Sequence, residues 1–544
     1  LNYILLFTFY FLLFTKRRFY AQKNLLMLTI SAIGAVALPG RSMAMTMEER
    51  MEAMELKMSQ LTSKLEHAEA ENQQLKRYLT ASDIKIVNPD SHTIKNVDDK
   101  LTMLEKRMDF DKSASEEAAK KKPKLDITSK GVSFKSADEN YKLNLRGYAQ
   151  ADTNVFLDNS AITDKFTLRR ARLTLDGTLF KNIDFRIAPD FANSQLRLFD
   201  AFVDLHYFPG ASLMAGKFRQ PVSLERMQTA PNLTFVERAY PAMMAPNRDI
   251  GVMLHGAVSY PGYKVQYSPQ PVFKEFLGYE MGIFNGIRDN QAVQNSDTEQ
   301  DNNKELAARL FMHPFLHSGS PLEGLGIGIA GTWGRPKNNA LSSLVSPGQQ
   351  TILSYNAATA TSTVTSSGDA HRIYPQMYWY HGPFGILGEY LLSSQQLHGT
   401  RTGATNINVS TRQNNTAWQA NFSYMLTGED NSFFGIKPER VFDPAAGTWG
   451  AFQIAARWSE MNIDGSTFRN YGSIASPFYL SNPASSIRKA QSWALGLNWF
   501  LNDNAKIMAN YEQTYFSGGA ANSSGGIINR QMEKVFLTRF QFAF

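Results

Sequence analysis

From Tyr141 to Phe544 the hydrophobic positions recur mostly at every second residue, the period of a strand with one wet and one apolar face. In Leu168 to Asp176, the set Leu168, Arg170, Arg172, Thr174 and Asp176 is largely polar, while the alternate positions include Ala171, Leu173 and Leu175. Phe199, Ala201, Val203, Leu205 and Tyr207 alternate in the same way with Asp200, Phe202, Asp204 and His206. Similar patterns recur in Leu306 to Phe315, Ala417 to Leu426, Ala451 to Met461, Trp493 to Leu501 and Val535 to Phe544, with no helical stretch of comparable strength between them.

The connections alternate in length. Brief polar or turn-forming groups stand at Phe180-Lys181-Asn182, Pro209-Gly210, Pro261-Gly262, Gly382-Pro383 and Asn502-Asp503-Asn504. Long polar segments lie between them: Arg288 to Asn303, Asn338 to Ala370, Thr400 to Asn415 and Phe516 to Asn529. Short turns at one rim and long loops at the other are the signature of an outer-membrane β-barrel; with strands of about 10 residues the predicted fold is a transmembrane barrel of about 16 antiparallel strands.

The N-terminal part has other periods. A basic stretch from Lys16 to Lys23, an apolar run from Leu25 to Leu38 and a small-x-small pattern at Ser42-Met43-Ala44 follow the order of an export signal, so residues 1–44 are expected to be removed, with the apolar stretch Tyr3 to Phe14 belonging to an over-extended start. Met51, Met54, Met58, Leu61, Leu65, Ala68, Asn72, Leu75 and Leu79 then alternate spacings of three and four, a coiled-coil seam with Asn72 at an a position that sets register and oligomer state. A shorter run, Ile94 to Met108, repeats the spacing after Asn88-Pro89. Residues 45–108 are therefore predicted to be a periplasmic coiled coil, and residues 109–140, charged and holding Lys120-Lys121-Lys122-Pro123-Lys124, a linker.

The net charge of +7 invites a nucleic-acid partner, but residues 1–44 carry five basic groups and no acid. What remains holds 51 basic against 49 acidic residues, which removes that support. The absence of cysteine excludes disulfide frameworks, Cys-based zinc sites and thiol nucleophiles. Gly326-Ile327-Gly328-Ile329-Ala330-Gly331 matches a dinucleotide-binding spacing but sits inside a strand pattern, and Gly210 to Phe218 misses the P-loop by one residue of spacing and a hydroxyl. No G-x-S-x-G or H-E-x-x-H occurs, so neither an enzyme nor a metal site or cofactor is predicted.

Leu143-Asn144-Leu145-Arg146-Gly147-Tyr148, Leu168-Arg169-Arg170-Ala171-Arg172-Leu173, Phe199-Asp200-Ala201-Phe202-Val203-Asp204 and Gly216-Lys217-Phe218-Arg219-Gln220-Pro221 together resemble the phosphate-selective porin O/P family. Leu426-Thr427-Gly428-Glu429, Gly450-Ala451-Phe452, Gly496-Leu497-Asn498-Trp499-Phe500 and Thr538-Arg539-Phe540-Gln541-Phe542-Ala543-Phe544 continue the likeness to the end of the chain. The resemblance implies a trimeric channel of the bacterial outer membrane, in contact with its lipid, with an inward loop at about residues 219–249. It further implies anion contacts at Arg169, Arg170, Arg172, Asp200, Arg226 and Arg238. Strict alternation nevertheless sends Arg169 and Arg170 to opposite faces, so Arg169 joins the lumen only through a bulge or a strand end. Pairing of these arginines with Asp200 and Asp204, bracing the wall, stands as the alternative role. The lysines expected of a phosphate-specific member are sparse: Asp184 occupies one such position, and residues 219–249 carry four arginines against Glu225, Glu237 and Asp249.

The expected function is passive diffusion of small anions, phosphate among them. The alternatives are a general diffusion porin and an envelope tether whose coiled coil reaches the cell wall. A barrel lipid hydrolase would need a Ser/His pair at the membrane edge, and none is favoured by the alternation.

Overall fold

The computed structural model describes residues 123–158, 162–264, 275–286, 301–356, 359, 361–403 and 406–544, with Thr102, Met103 and Lys106. The chain divides into two units, Leu1–Asp111 and Lys112–Phe544. In the first, the three described residues are helical and exposed. The signal segment and almost all of the predicted coiled coil lie outside the described residues, and among those described no helix is long and apolar enough to cross a membrane.

The second unit is a closed antiparallel barrel of sixteen strands. They are β1 (Lys142–Leu157), β2 (Lys165–Leu179), β3 (Ile183–Asp190), β4 (Arg197–Phe208), β5 (Ala211–Arg219), β6 (Arg248–Val258), β7 (Leu277–Phe284) and β8 (Glu305–Met312), followed by β9 (Leu325–Gly334), β10 (Ser362–His381), β11 (Phe384–Arg401), β12 (Ile407–Met425), β13 (Ala451–Asn462), β14 (Ile487–Phe500), β15 (Ala505–Ala521) and β16 (Glu533–Ala543). Each pairs with its sequence neighbours, and β16 closes on β1 from Lys534↔Leu157 to Ala543↔Tyr148. Closure removes every open edge among these strands, the condition for crossing a bilayer with strands. The terminal Phe544 completes the seam by exchanging two 2.8 Å backbone hydrogen bonds with Gly147.

Outward positions form the apolar band that alternation predicts. Met281, Leu310 and Ile329, on neighbouring strands, are 61%, 52% and 53% exposed. Phe180, Tyr207, Phe208, Phe384, Phe422 and Phe542 stand outward near the short-turn rim, at the level where aromatic side chains meet headgroups. Replacing Ile329 by Arg puts a charge in this band, and a loss of about 2–4 kcal/mol of barrel stability is expected; unchanged unfolding in a urea titration with lipid vesicles would place Ile329 outside the hydrocarbon. The glycines that mimic a dinucleotide motif are strand residues here. A Cβ on Gly326 or Gly328 would stand 2.5 Å from the Phe311 ring, so they let that ring lie flat against β9.

The loops depart from the sequence reading in both directions. Thr400 to Asn415 and Phe516 to Asn529 are mostly strand: β11 and β12 are joined by residues 402–406 only, and β15 runs on to Ala521. Polar side chains there extend the wall beyond the bilayer, where both faces meet water and the hydrophobic period vanishes. On the other rim, 180–182, 209–210, 382–383 and 501–504 are the expected short turns, but 259–276, 313–324 and 426–450 are longer. Residues 426–450 fold across the barrel end: Asn431 N–H donates to Gly382 O at 2.7 Å and Phe442 N–H to Leu501 O at 2.7 Å. Within the predicted linker, Lys124–Thr128 and Gly131–Lys135 form a hairpin whose second strand pairs with the start of β1.

Candidate functional site

The connection from β5 to β6, residues 220–247, lies almost wholly buried inside the barrel, matching the predicted constriction loop. It contains two short helices, α1 (Leu224–Met227) and α2 (Tyr240–Met244). Ser223 caps α1, its Oγ accepting from Arg226 N–H at 3.2 Å while donating to the Glu389 carboxylate of β11. Pro241 stands in the first turn of α2, where a missing N–H costs nothing.

The wall anchors the loop through charged groups. Arg169 is the extra residue of a bulge: Gln150 pairs with Arg170 but Ala151 with Leu168. That irregularity turns Arg169 inward, where it grips Glu237 of the loop with Nε–Oε1 2.7 Å and Nη2–Oε2 3.2 Å. Both arginines of the pair thus reach the lumen, an outcome regular alternation forbids. Burial opposes ionisation of Glu237, but Arg169 and then Arg170 outweigh it and hold the carboxyl at about 2. Arg457 of β13 donates to Glu237 O at 2.7 Å and pairs with Glu512 at 3.1 Å, and Arg539 binds Asp152 through two contacts of 2.7 and 2.6 Å.

The remaining predicted residues divide into two groups. Arg226 donates to Ala242 O and Arg238 to the carbonyls of Glu225 and Gln228 at 3.2 and 3.0 Å, so both guanidinium groups knit α1 to the segment around α2. Arg170, Arg172 and Asp200 lie on the wall. Arg170 donates to Gln150 Oε1 at 2.7 Å and forms no ion pair among the described residues. Arg172 binds Asp190 at 2.9 Å with its guanidinium carbon 3.7 Å from the Phe199 ring centre, and Asp200 binds Arg248 at 3.0 Å. Asp204 takes His255 at 3.0 Å, so bracing of the wall is real, with Asp190 rather than Asp200 or Asp204 as the acid facing Arg172.

Beneath the loop, towards the short-turn rim, a vestibule of about 470 Å³ opens. One side carries Arg146, Arg172, Arg186, Arg219 and Arg248, with Lys130 from the N-terminal hairpin, against Asp200 and Asp503. The lining also includes Met227, Pro231, Phe433, Phe434 and Phe544, with the polar Gln228, Thr229 and Asn232 among them. Arg146, Arg186, Arg219 and Arg248 were outside the predicted anion contacts, although Arg146 and Arg186 stand on inward faces of their strands. The opposite half of the lumen, towards β10–β15, is filled by an apolar cluster of Tyr240, Met243 and Met244 from the loop with Leu344, Ile352 and Leu353 from the β9–β10 connection and Tyr374, Leu391 and Met461 from the wall.

A closed sixteen-stranded barrel with an inward loop, charged groups on one lumen wall and aromatics at the membrane level defines an outer-membrane channel. Residues 140–544 match the family model "Phosphate-selective porin O and P", and the chain belongs to that family; it is an outer-membrane porin. Solved structures with similar folds include the outer membrane channel DcaP of Acinetobacter baumannii, with 11% identity over 76% of this chain and 99% of that one and a TM-score of 0.44. The anion-selective porin from Comamonas acidovorans gives 12% identity over 74% and 100% with a TM-score of 0.42, and OmpT of Vibrio cholerae 12% over 74% and 98% with 0.42. No curated protein sequence matches the chain.

Proposed function

We propose that the protein is a trimeric channel through which small anions, phosphate among them, diffuse passively across the outer membrane. The observation that carries this reading is the vestibule, where six cationic side chains and two carboxylates line the lumen beside the constriction loop. A narrow, low-dielectric passage strengthens each charge, and guanidinium groups stay protonated while offering fixed donor forks to oxyanions. Asp176 and Asp190 offset part of the excess by pairing with Arg146 and Arg172, which leaves an anion preference rather than an exclusive anion filter.

The six predicted contact residues take different roles in this reading. Arg170, without a carboxylate partner, meets the passing anion; Arg172 and Asp200 shape the wall; Arg169, Arg226 and Arg238 hold the loop that sets the size limit. The test is the reversal potential of the purified protein in a planar bilayer across a KCl gradient, followed by phosphate titration of the chloride current. Anion selectivity with phosphate block is expected, and Arg170→Gln is expected to reduce the anion preference by roughly twofold to fivefold. Cation selectivity or no discrimination would leave a general diffusion porin.

A further inference from the structure

A porin lumen is ordinarily polar, yet β4, β5 and β6 bury Phe202, Met214, Phe218 and Met253 on its wall, packed with Phe284 and Ala307 of β7 and β8. Phe218 stands edge-on to Phe202 at 6.1 Å and to Phe284 at 5.4 Å between ring centres. Among Phe202, Met214, Phe218, Met253 and Met227 lies a recess of about 50 Å³. By the criterion that about 10–15 Å³ admits one water, it holds roughly three to five heavy atoms.

The recess and the vestibule share Arg186, Asp200, Arg219 and Met227, so the two arginines stand at the mouth of an apolar space. Their donors are incompletely used. Arg186 is 3.9 Å from Asp176, and its buried Nε has no hydrogen-bond partner. Arg248, on the vestibule side, gives Nε to Asp200 and Nη1 to Asn247, while its Nη2 is buried without a partner. Arg219 directs Nη1 to the carbonyls of Arg226 and Met227, at 2.9 and 2.5 Å. The polar groups deeper in the recess are taken: His255 binds Asp204 at 3.0 Å and Glu280 binds Arg309 at 2.5 Å.

We propose that this is a binding site for a small organic anion, a short alkyl carboxylate, with its charged head on Arg186, Arg219 and Arg248 and its apolar end in the Met/Phe recess. The proposal rests on the anion-channel reading and names a solute class for it. Inorganic phosphate satisfies only the arginines and leaves the recess unused; a carboxylate with a hydrocarbon body uses both. Acetate is too short to reach the recess, whereas the alkyl tails of butyrate and hexanoate can enter it; the six-carbon ring of benzoate exceeds it and serves as the oversize control.

The experiment measures block of the chloride current through the full-length protein in a planar bilayer by acetate, propionate, butyrate, hexanoate and benzoate, with inorganic phosphate for comparison. The half-blocking concentration is expected to fall about threefold to fourfold per added methylene and to level off after roughly four carbons, where the recess is full. Arg186→Gln is expected to raise it for every carboxylate, whereas Met253→Gln should flatten the chain-length dependence. Met214→Phe, which fills the recess, should weaken the longer blockers selectively and provides a second route should Met253→Gln fail to assemble. An anion-selective channel with no chain-length dependence, blocked best by phosphate, overturns the recess and leaves the anion-channel reading intact. Cation selectivity with no block by any carboxylate overturns both.

Discussion

Glu237→Gln is expected to raise the single-channel conductance and the open-channel noise, because it removes the carboxylate through which the wall holds the constriction loop. Arg169 grips that carboxylate through two hydrogen bonds, and Arg539 stands 3.7 Å from it. With Glu237 6% and Arg169 25% exposed, the pair is largely withdrawn from water. Removing one partner of such a pair costs about 3–5 kcal/mol; the lower end, about 3 kcal/mol, already multiplies the unseated loop population roughly 150-fold. Because the folded-state carboxyl lies at about 2, below its ordinary value, its contribution to seating the loop is fully present above the ordinary carboxylate range and disappears as pH falls through about 2. The hold of this one pair on the loop should therefore be unchanged between pH 8 and about pH 6. Conductance and noise identical to wild type in E237Q would show that the loop is held elsewhere, by Arg457 on the Glu237 carbonyl or by Lys506 on the Leu233 carbonyl at 2.9 Å.

Removing the inward hairpin of the β9–β10 connection, Leu344 to Leu353, is expected to open the other half of the lumen and raise conductance about twofold or more. This hairpin is built as an insert. Ser346 Oγ donates to Glu533 Oε2 at 2.9 Å, Gly348 N–H to Glu533 Oε1 at 3.1 Å, and Asn154 Nδ2 to Gly348 O at 3.3 Å. Leu344, Ile352 and Leu353 then close over Tyr240, Met243 and Met244, so hairpin and constriction loop seal one another through a dry interface. A hydrophobic constriction of this kind blocks ions by excluding water. Gly348→Leu offers a milder version, since even a Cβ there would come within 2.6 Å of Glu533 Oε1 and 2.7 Å of the Phe156 ring. Conductance unchanged after the deletion, in bilayers where the wild type is active, would mean that the conducting path runs entirely along the arginine wall.

Much of the wall was legible in the sequence. The alternation of Leu168 to Asp176 placed Arg170 and Arg172 on the face opposite Leu173, and the hydrogen-bond ladder agrees from Arg170 onward, whereas Leu168, grouped with them by alternation, stands outward beyond the bulge. Alternation could not show that Arg169 joins them, because a bulge is a single-residue slip favoured by the partner it meets, here Glu237 in a loop 68 residues away. It also could not distinguish water inside the lumen from water outside the cell, which is why the polar upper parts of β11, β12 and β15 read as loops. Phe202 stood among Asp200, Asp204 and His206 and was the one local sign that part of the lumen is apolar. Arg226 and Arg238, placed by resemblance among anion contacts, also donate to loop carbonyls, contacts that no local pattern announces.

The sequence by itself determined a large β-barrel of the outer membrane, because a bilayer outside and a polar lumen inside impose a period of two on each crossing segment, and that constraint is local. Which charges meet, which stay uncommitted and what fills the lumen were decided only by the tertiary structure. They depend on a bulge, on loops folding back through the barrel, and on contacts such as Ser346 with Glu533, 187 residues apart. Such pairings lower the energy only once the wall has closed around them, so no short stretch of sequence carries their signature.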